Sequence, residues 1–212
     1  MTICVVTDRA RQDPVALARH AIDAGVDLIQ IRERGLDGGA LAAIVRAVVA
    51  IARASASTGP AGRPRTRVVV NDRLDVAIAC GADGVHLRGD SMTAEAARQM
   101  APPGFLIGRS VHAVEDARSA GPVDYLIAGT VFRTASKAET APLVGLEGLA
   151  AIVRASTAPV LAIGGITAER VSDVAAAGAV GIAAIGLFAS GGPLGSTVAE
   201  LRMLFDTVKT AP

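Results

Sequence analysis

Residues 27–34 read DLIQIRER, and the rest of the chain is organised around this stretch. An apolar start followed by alternation marks a short strand, in which residues i, i+2 and i+4 share one face. Gln30, Arg32 and, if the strand extends that far, Arg34 then point the same way. Burying two guanidinium groups without partners costs several kcal/mol or more. Either carboxylates such as Glu33 or Asp72 answer them, or solvent does, or an anionic ligand does.

Working outward, short β-branched runs alternate with helical periods. Strands are expected at 2–6, 27–32, 67–70, 84–87, 106–110, 125–129, 160–163 and 181–185. Helices are expected at 14–24, 40–54, 73–80, from Thr93 to Pro102-Pro103, at 114–120, 146–155, 168–177 and 197–208. Pro14 suits a first helical turn, and Gly25 and Gly81 suit helix ends. Continuously apolar strands, each followed by a helix, belong to a parallel sheet covered on its outer face. Eight such units predict an α/β fold, a single-domain (β/α)8 TIM barrel spanning 1–212. The competing arrangement is a doubly wound open sheet, whose glycine fingerprint this sequence lacks. Two connections break the rhythm. Residues 55–66, SASTGPAGRPRT, follow a helix, so they form a flexible insertion at the N-terminal face, away from chemistry. Residues 130–145, TVFRTASKAETAPLVG, follow a strand and form a candidate lid over the catalytic face.

The 212 residues suffice for one full core. A net charge of +1 gives no bulk attraction to nucleic acid or anionic membrane. Aromatic content of 2%, with one Tyr and no Trp, argues against a base-stacking platform. Cys4 and Cys80 have neither metal-ligand spacing nor a disulfide framework, and Cys4 reads as a buried, inert thiol. Without a signal-like start or an uninterrupted 18-residue apolar span, the expected setting is soluble and cytoplasmic.

Polar residues collect where the strands end: Thr7-Asp8, Gln30 to Arg34, Asn71-Asp72, His86 and Asp90, Arg109 to His112, and Thr130 through Lys137. Gly164-Gly165 and Ile185-Gly186 follow strands seven and eight, where barrel enzymes commonly bind phosphate on backbone N–H groups. Asp72 and Asp90 could hold Mg2+ together with substrate phosphates; alternatively, Asp72 caps the helix that starts at Arg73. His86 and His112 have no partner at metal-ligand spacing.

The segments IQIRERG, VVVNDRLDVAIACGADGVHL, IGRSVHAVEDA, DYLIAGTVFRTASK, LVGLEGL and VLAIGGIT, in this order over nearly the whole chain, resemble the thiamine phosphate synthase/TenI family. The resemblance implies a (β/α)8 barrel. Its synthase branch joins hydroxymethylpyrimidine diphosphate to a thiazole phosphate with Mg2+ and releases pyrophosphate. Its TenI branch includes a thiazole tautomerase. By position, the resemblance implies substrate-binding roles for Gln30, Arg34, Asn71, Ser110, Thr134, Ser136, Gly165, Ile185 and Gly186. It implies catalytic roles for Arg32 and Lys137, and Mg2+ at Asp72. Arg34 replaces a family lysine, Gly186 a frequent serine, and Ser91 the second metal-binding aspartate, with Asp90 one residue early. Thr130 stands where the tautomerase has histidine, so that branch would need His112 or His86 as its acid/base. The synthase is the leading expectation, a tautomerase the second, and a phosphate-ligand-binding protein without turnover the third. Phosphorylated pyrimidine and thiazole partners and a homodimer follow from the resemblance.

Overall fold

The structure is a computed structural model and describes residues 1–56, 65–134, 142–189 and 193–209. Its strands are β1 (Thr2–Val6), β2 (Leu28–Ile31), β3 (Arg67–Asn71), β4 (Gly84–Leu87), β5 (Leu106–Val111), β6 (Tyr125–Gly129), β7 (Val160–Ile163) and β8 (Gly181–Ala184). Helices α1 (Pro14–Asp23), α2 (Gly38–Ala56), α3 (Leu74–Ala79), α4 (Ala94–Met100), α5 (Val114–Arg118), α6 (Gly145–Ala155), α7 (Val171–Ala176) and α8 (Gly195–Lys209) follow them in turn. All neighbouring strands are parallel, and β8 pairs with β1 to close the barrel, which excludes the open sheet.

Strand alternation separates two apolar clusters. Ile3, Val5, Ile29, Val68 and Val70 face outward to the helices, whereas Cys4, Val6, Leu28, Val69, Ile127 and Leu161 fill the interior. Cys4 and Cys80 are buried, and burial drives the Cys4 thiol pKa far up. Helix α2 is long and apolar enough to span a bilayer by length and composition, yet Leu41, Val45, Val48, Val49 and Ala52 are buried in this fold.

Helix ends use local chemistry. Asp13 accepts from Ala16 N–H at 2.7 Å, with Pro14 opening α1, and Thr93 accepts from Ala96 N–H at 3.2 Å at the start of α4. β2 stops one residue short of its predicted end because the Arg32 N–H leaves the ladder and donates to Thr7 Oγ1 at 3.1 Å.

The N-terminal face is held by a repeated device. Asp27, Asp83 and Asp124 each precede an even-numbered strand and accept an N–H from the preceding odd strand: Ile3 at 2.8 Å, Val68 at 2.8 Å and Ile107 at 2.7 Å. Each carboxylate also pairs with an arginine, namely Arg202, Arg65 and Arg98. Charges at this end are therefore engaged in structure. Most of the expected 55–66 insertion, residues 57–64, lies outside the described residues.

Inside the barrel, Tyr125 lies across the inner face of β5, where only glycine leaves space. A β-carbon at Gly108 would come within 2.1 Å of Tyr125 Cζ. His86 is 1% exposed and stacks at a tilt on Tyr125, with ring centroids 5.6 Å apart. Burial, helped by the positive charge of Arg32, pulls the His86 pKa down to about 3, so the ring is neutral at pH 7.

Two stability measurements follow. Gly108→Ala overpacks the interior and is expected to cost about 1–3 kcal/mol in denaturant unfolding; an unchanged midpoint would mean that Tyr125 is not seated there. His86 is protonated more readily in the unfolded chain, with an ordinary pKa of 6.5, than in the barrel, at about 3. Its contribution is present above the unfolded value and is lost as pH falls through this window, at up to about 1.4 kcal/mol per pH unit. His86→Gln is expected to flatten the acid limb of the stability–pH curve by that contribution; an unchanged limb would contradict burial of a neutral ring.

Candidate active site

The described residues predicted at the strand ends lie at the C-terminal mouth of the barrel, where β2, β3, β4 and β5 present an inner polar layer. Gln30 is 3% exposed and donates from Nε2 to Asn71 Oδ1 at 3.0 Å. Asn71 pairs in register with His86, and His86 with Gly108, two residues before Ser110. His86 Nε2 lies 2.9 Å from Ser110 Oγ, and its Nδ1 lies 3.2 Å from Tyr125 Oη. Gln30–Asn71 and His86–Ser110 are thus two hydrogen-bonded pairs on adjacent strands. Arg109 has the opposite strand parity and donates from Nη2 to the Gly89 carbonyl at 3.3 Å.

Arg32 is half-buried at the edge of this layer. Burial, and then repulsion from Arg34, lowers its pKa below the ordinary arginine value, with attraction from Asp8 and Glu33 opposing the shift. It stays protonated, as guanidinium groups in proteins do. The two carboxylates offered as its counter-ions are engaged elsewhere. Glu33 accepts the Thr7 hydroxyl at 2.5 Å and the Arg9 N–H at 2.9 Å, which ties the loop after β1 to the end of β2. Asp72 accepts the Ser91 hydroxyl and lies 3.5 Å from Arg88 Nη1. Among the described residues, Arg32 makes no ion pair. Arg34 is exposed beside it.

Asp72 has φ +66°, in the left-handed region that Asp tolerates better than most residues. It does not cap the next helix. α3 begins at Leu74, and its N-cap, Arg73, makes no side-chain capping bond. Asp72 instead faces the loop after β4, where Ser91 meets it. Asp90, the other carboxylate expected at a metal, is turned to Arg88. Asp90 is 71% exposed and bonds Arg88 Nη2 at 2.5 Å, so Arg88 links the two carboxylates. Among the described residues, no group of three or more His, Cys, Asp or Glu side chains could hold a metal ion.

On the far side of the mouth, Gly164 and Gly165 have φ of +103° and +64°. Their missing β-carbons admit the protein's own chain: a Cβ at Gly165 would lie 2.5 Å from the Arg133 carbonyl oxygen. Val131 and Phe132 donate N–H to Ile163 and Gly164 carbonyls at 2.9 and 3.0 Å, and Val144 N–H returns to the Thr130 carbonyl at 2.8 Å. Arg170 donates to the Gly165 carbonyl at 2.8 Å and stacks over Phe132 at 4.7 Å. The base of the 130–145 segment is thereby fixed. Thr134 is half-exposed at its edge, while Ser136 and Lys137 lie outside the described residues.

Ile185 and Gly186 follow β8, and Gly186 opens a 3-10 turn, Gly186–Phe188. β8 and β2 both flank β1, so the turns carrying Gly186 and Arg32 stand on either side of the β1 end. Arg11, which sequence reasoning missed, comes within 3.9 Å of the place a Gly186 β-carbon would take, and its Nε lies 3.7 Å from Asp8. Arg88 was also missed. Neither histidine is placed as a free base: His86 is buried and neutral, and His112 Nδ1 is tied to the Gly129 carbonyl.

Arg32 and Arg34 follow β2, and the glycine turns follow β7 and β8, at the same end of the barrel. Residues 3–188 match the family described as thiamine monophosphate synthase. The thiamine-phosphate synthase of Methanoregula boonei is 40% identical over 214 residues, covering 99% of this chain and 95% of that protein. That of Methanoculleus marisnigri is 43% identical over 188 residues, covering 88% and 85%. The solved thiamine phosphate pyrophosphorylase from Pyrococcus furiosus has a TM-score of 0.84 at 33% identity, covering 98% of this chain and 96% of that one. A 3-hexulose-6-phosphate synthase at 18% identity, with a TM-score of 0.63, shares the fold alone. The chain belongs to the thiamine monophosphate synthase family.

Proposed function

We propose that this chain is a thiamine-phosphate synthase, a transferase that joins hydroxymethylpyrimidine diphosphate to thiazole phosphate and releases pyrophosphate. Membership of a family whose close relatives bear that name supports the activity. The observation that carries the assignment of residues is Arg32, a half-buried cation whose neighbouring carboxylates are committed elsewhere.

In this reading, the diphosphate enters as the missing counter-ion. Arg32 and Arg34 hold its oxygens, with Lys137 from the 130–145 segment as a further cation. The carbon–oxygen bond to the pyrimidine methylene breaks, and its electron pair leaves with pyrophosphate. The thiazole nitrogen supplies the pair for the new carbon–nitrogen bond. Gln30 and Asn71 orient the pyrimidine, Ser110 and Thr134 contact the phosphorylated substrates, and Gly165, Ile185 and Gly186 receive the thiazole phosphate. Catalysis is positioning and stabilisation of the leaving group, without a covalent enzyme intermediate.

Mg2+ fits the residues in part. One carboxylate plus substrate phosphates is a usual magnesium environment, and Asp72 offers a partly exposed carboxylate at the mouth. Asp90 would have to leave Arg88 to contribute. When bound, the metal would neutralise charge on the departing pyrophosphate. A soluble, cytoplasmic homodimer completes the reading.

Arg32→Ala is expected to lower kcat/KM for pyrophosphate release by about 10²–10³ or more with an unchanged circular dichroism spectrum. Retained turnover would remove the role given to Arg32. Chelation by EDTA is expected to stop release, and added Mg2+ to restore it; activity that persists in chelator would rule out the metal.

A further inference from the structure

We propose that His86 is a positioning residue that fixes the direction of the Ser110 hydroxyl, making it a hydrogen-bond donor to an anionic oxygen of the phosphorylated substrate. The proposal rests on the placement of Ser110 in the substrate site and adds how that serine is oriented.

The direction follows from the deepest member of the chain. Tyr125 is 7% exposed, and among the described residues its hydroxyl has one hydrogen-bond partner, His86 Nδ1 at 3.2 Å. A buried hydroxyl hydrogen without an acceptor is costly, so Tyr125 donates and Nδ1 accepts. A neutral imidazole carries one N–H, which must then sit on Nε2. Nε2 lies 2.9 Å from Ser110 Oγ and donates to it. One serine lone pair is thus occupied, and the serine hydrogen is free to point elsewhere.

Ser110 is half-exposed at the rim while His86 and Tyr125 lie below it, so the free hydrogen faces the mouth. This polarity matters because phosphate oxygens accept hydrogen bonds. With the opposite tautomer, Ser110 would donate inward to Nε2 and present lone pairs to the anion. Gly108 makes the arrangement possible, because any β-carbon there would displace the Tyr125 ring.

Nitrogen-15 NMR of ligand-free protein tests the polarity without reference to activity. The expected His86 spectrum has a protonated Nε2 and an unprotonated Nδ1; the reverse assignment overturns the proposal. A double-mutant cycle in the pyrophosphate-release assay tests the role. His86→Leu is expected to lower kcat/KM roughly tenfold in the wild-type background, the scale of one neutral hydrogen bond. In the Ser110→Ala background it is expected to change kcat/KM by less than about twofold. His86→Gln, whose amide can donate to Ser110, is expected to recover most of the loss. Equal losses in both backgrounds would mean a merely structural histidine and overturn the proposal. If Ser110→Ala alone leaves kcat/KM unchanged while the tautomer is as expected, the proposal is overturned through the reading of Ser110 as a substrate contact.

Discussion

Glu33, one residue from Arg32, attracts it electrostatically, but its carboxylate oxygens are bonded elsewhere. Its carboxylate is committed to the Thr7 hydroxyl and the Arg9 N–H, which join the loop after β1 to the end of β2. The same junction ends β2, because the Arg32 N–H turns to Thr7. A half-buried guanidinium beside Arg34 is thereby left facing the mouth. Part of its desolvation is already incurred in folding, so in the proposed reaction an incoming diphosphate would meet a cation that is poorly compensated.

The two ends of the barrel treat charge in opposite ways. At the N-terminal end, Asp27, Asp83 and Asp124 each satisfy a backbone N–H and an arginine together. At the C-terminal end, Asp72 and Asp90 share Arg88 through solvent-accessible contacts, the kind of pair that contributes little stability and exchanges readily. The first pattern fastens strands to one another, and the second leaves groups available for a ligand. Beneath the mouth, a neutral His86 carries polarity from Tyr125 to Ser110 without placing a charge in the interior.

Strands buried on both faces are legible as apolar runs, and helices announce themselves through Asp13-Pro14, Thr93 and terminal glycines. That is why the barrel could be read before its coordinates. Strand parity made Gln30 and Arg32 legible as one face, and the resemblance implied Asn71 and Ser110 by position. The direction of Asp90 was not legible, because a loop side chain follows its local partner, here Arg88 two residues away. The Glu33 contact joins residues 26 apart in sequence, and no local pattern signals it. The aspartates of the N-terminal face did have a signal: a glycine followed two or three residues later by Asp precedes β2, β4 and β6, as GVD, GAD and GPVD. The glycine-rich turns were read as anion cradles, while part of their physical cause is the close approach of the Phe132–Arg133 backbone.

The proposed function requires Arg32 and the glycine turns after β7 and β8 to line one anion-binding mouth. The most direct measurement is a crystal structure of the protein soaked with pyrophosphate and thiazole phosphate. The expected result is pyrophosphate on the Arg32 guanidinium and the thiazole phosphate on the Gly165 and Gly186 turns, within the same cavity. Pyrophosphate bound away from Arg32, or the two anions in separate cavities, would contradict the account.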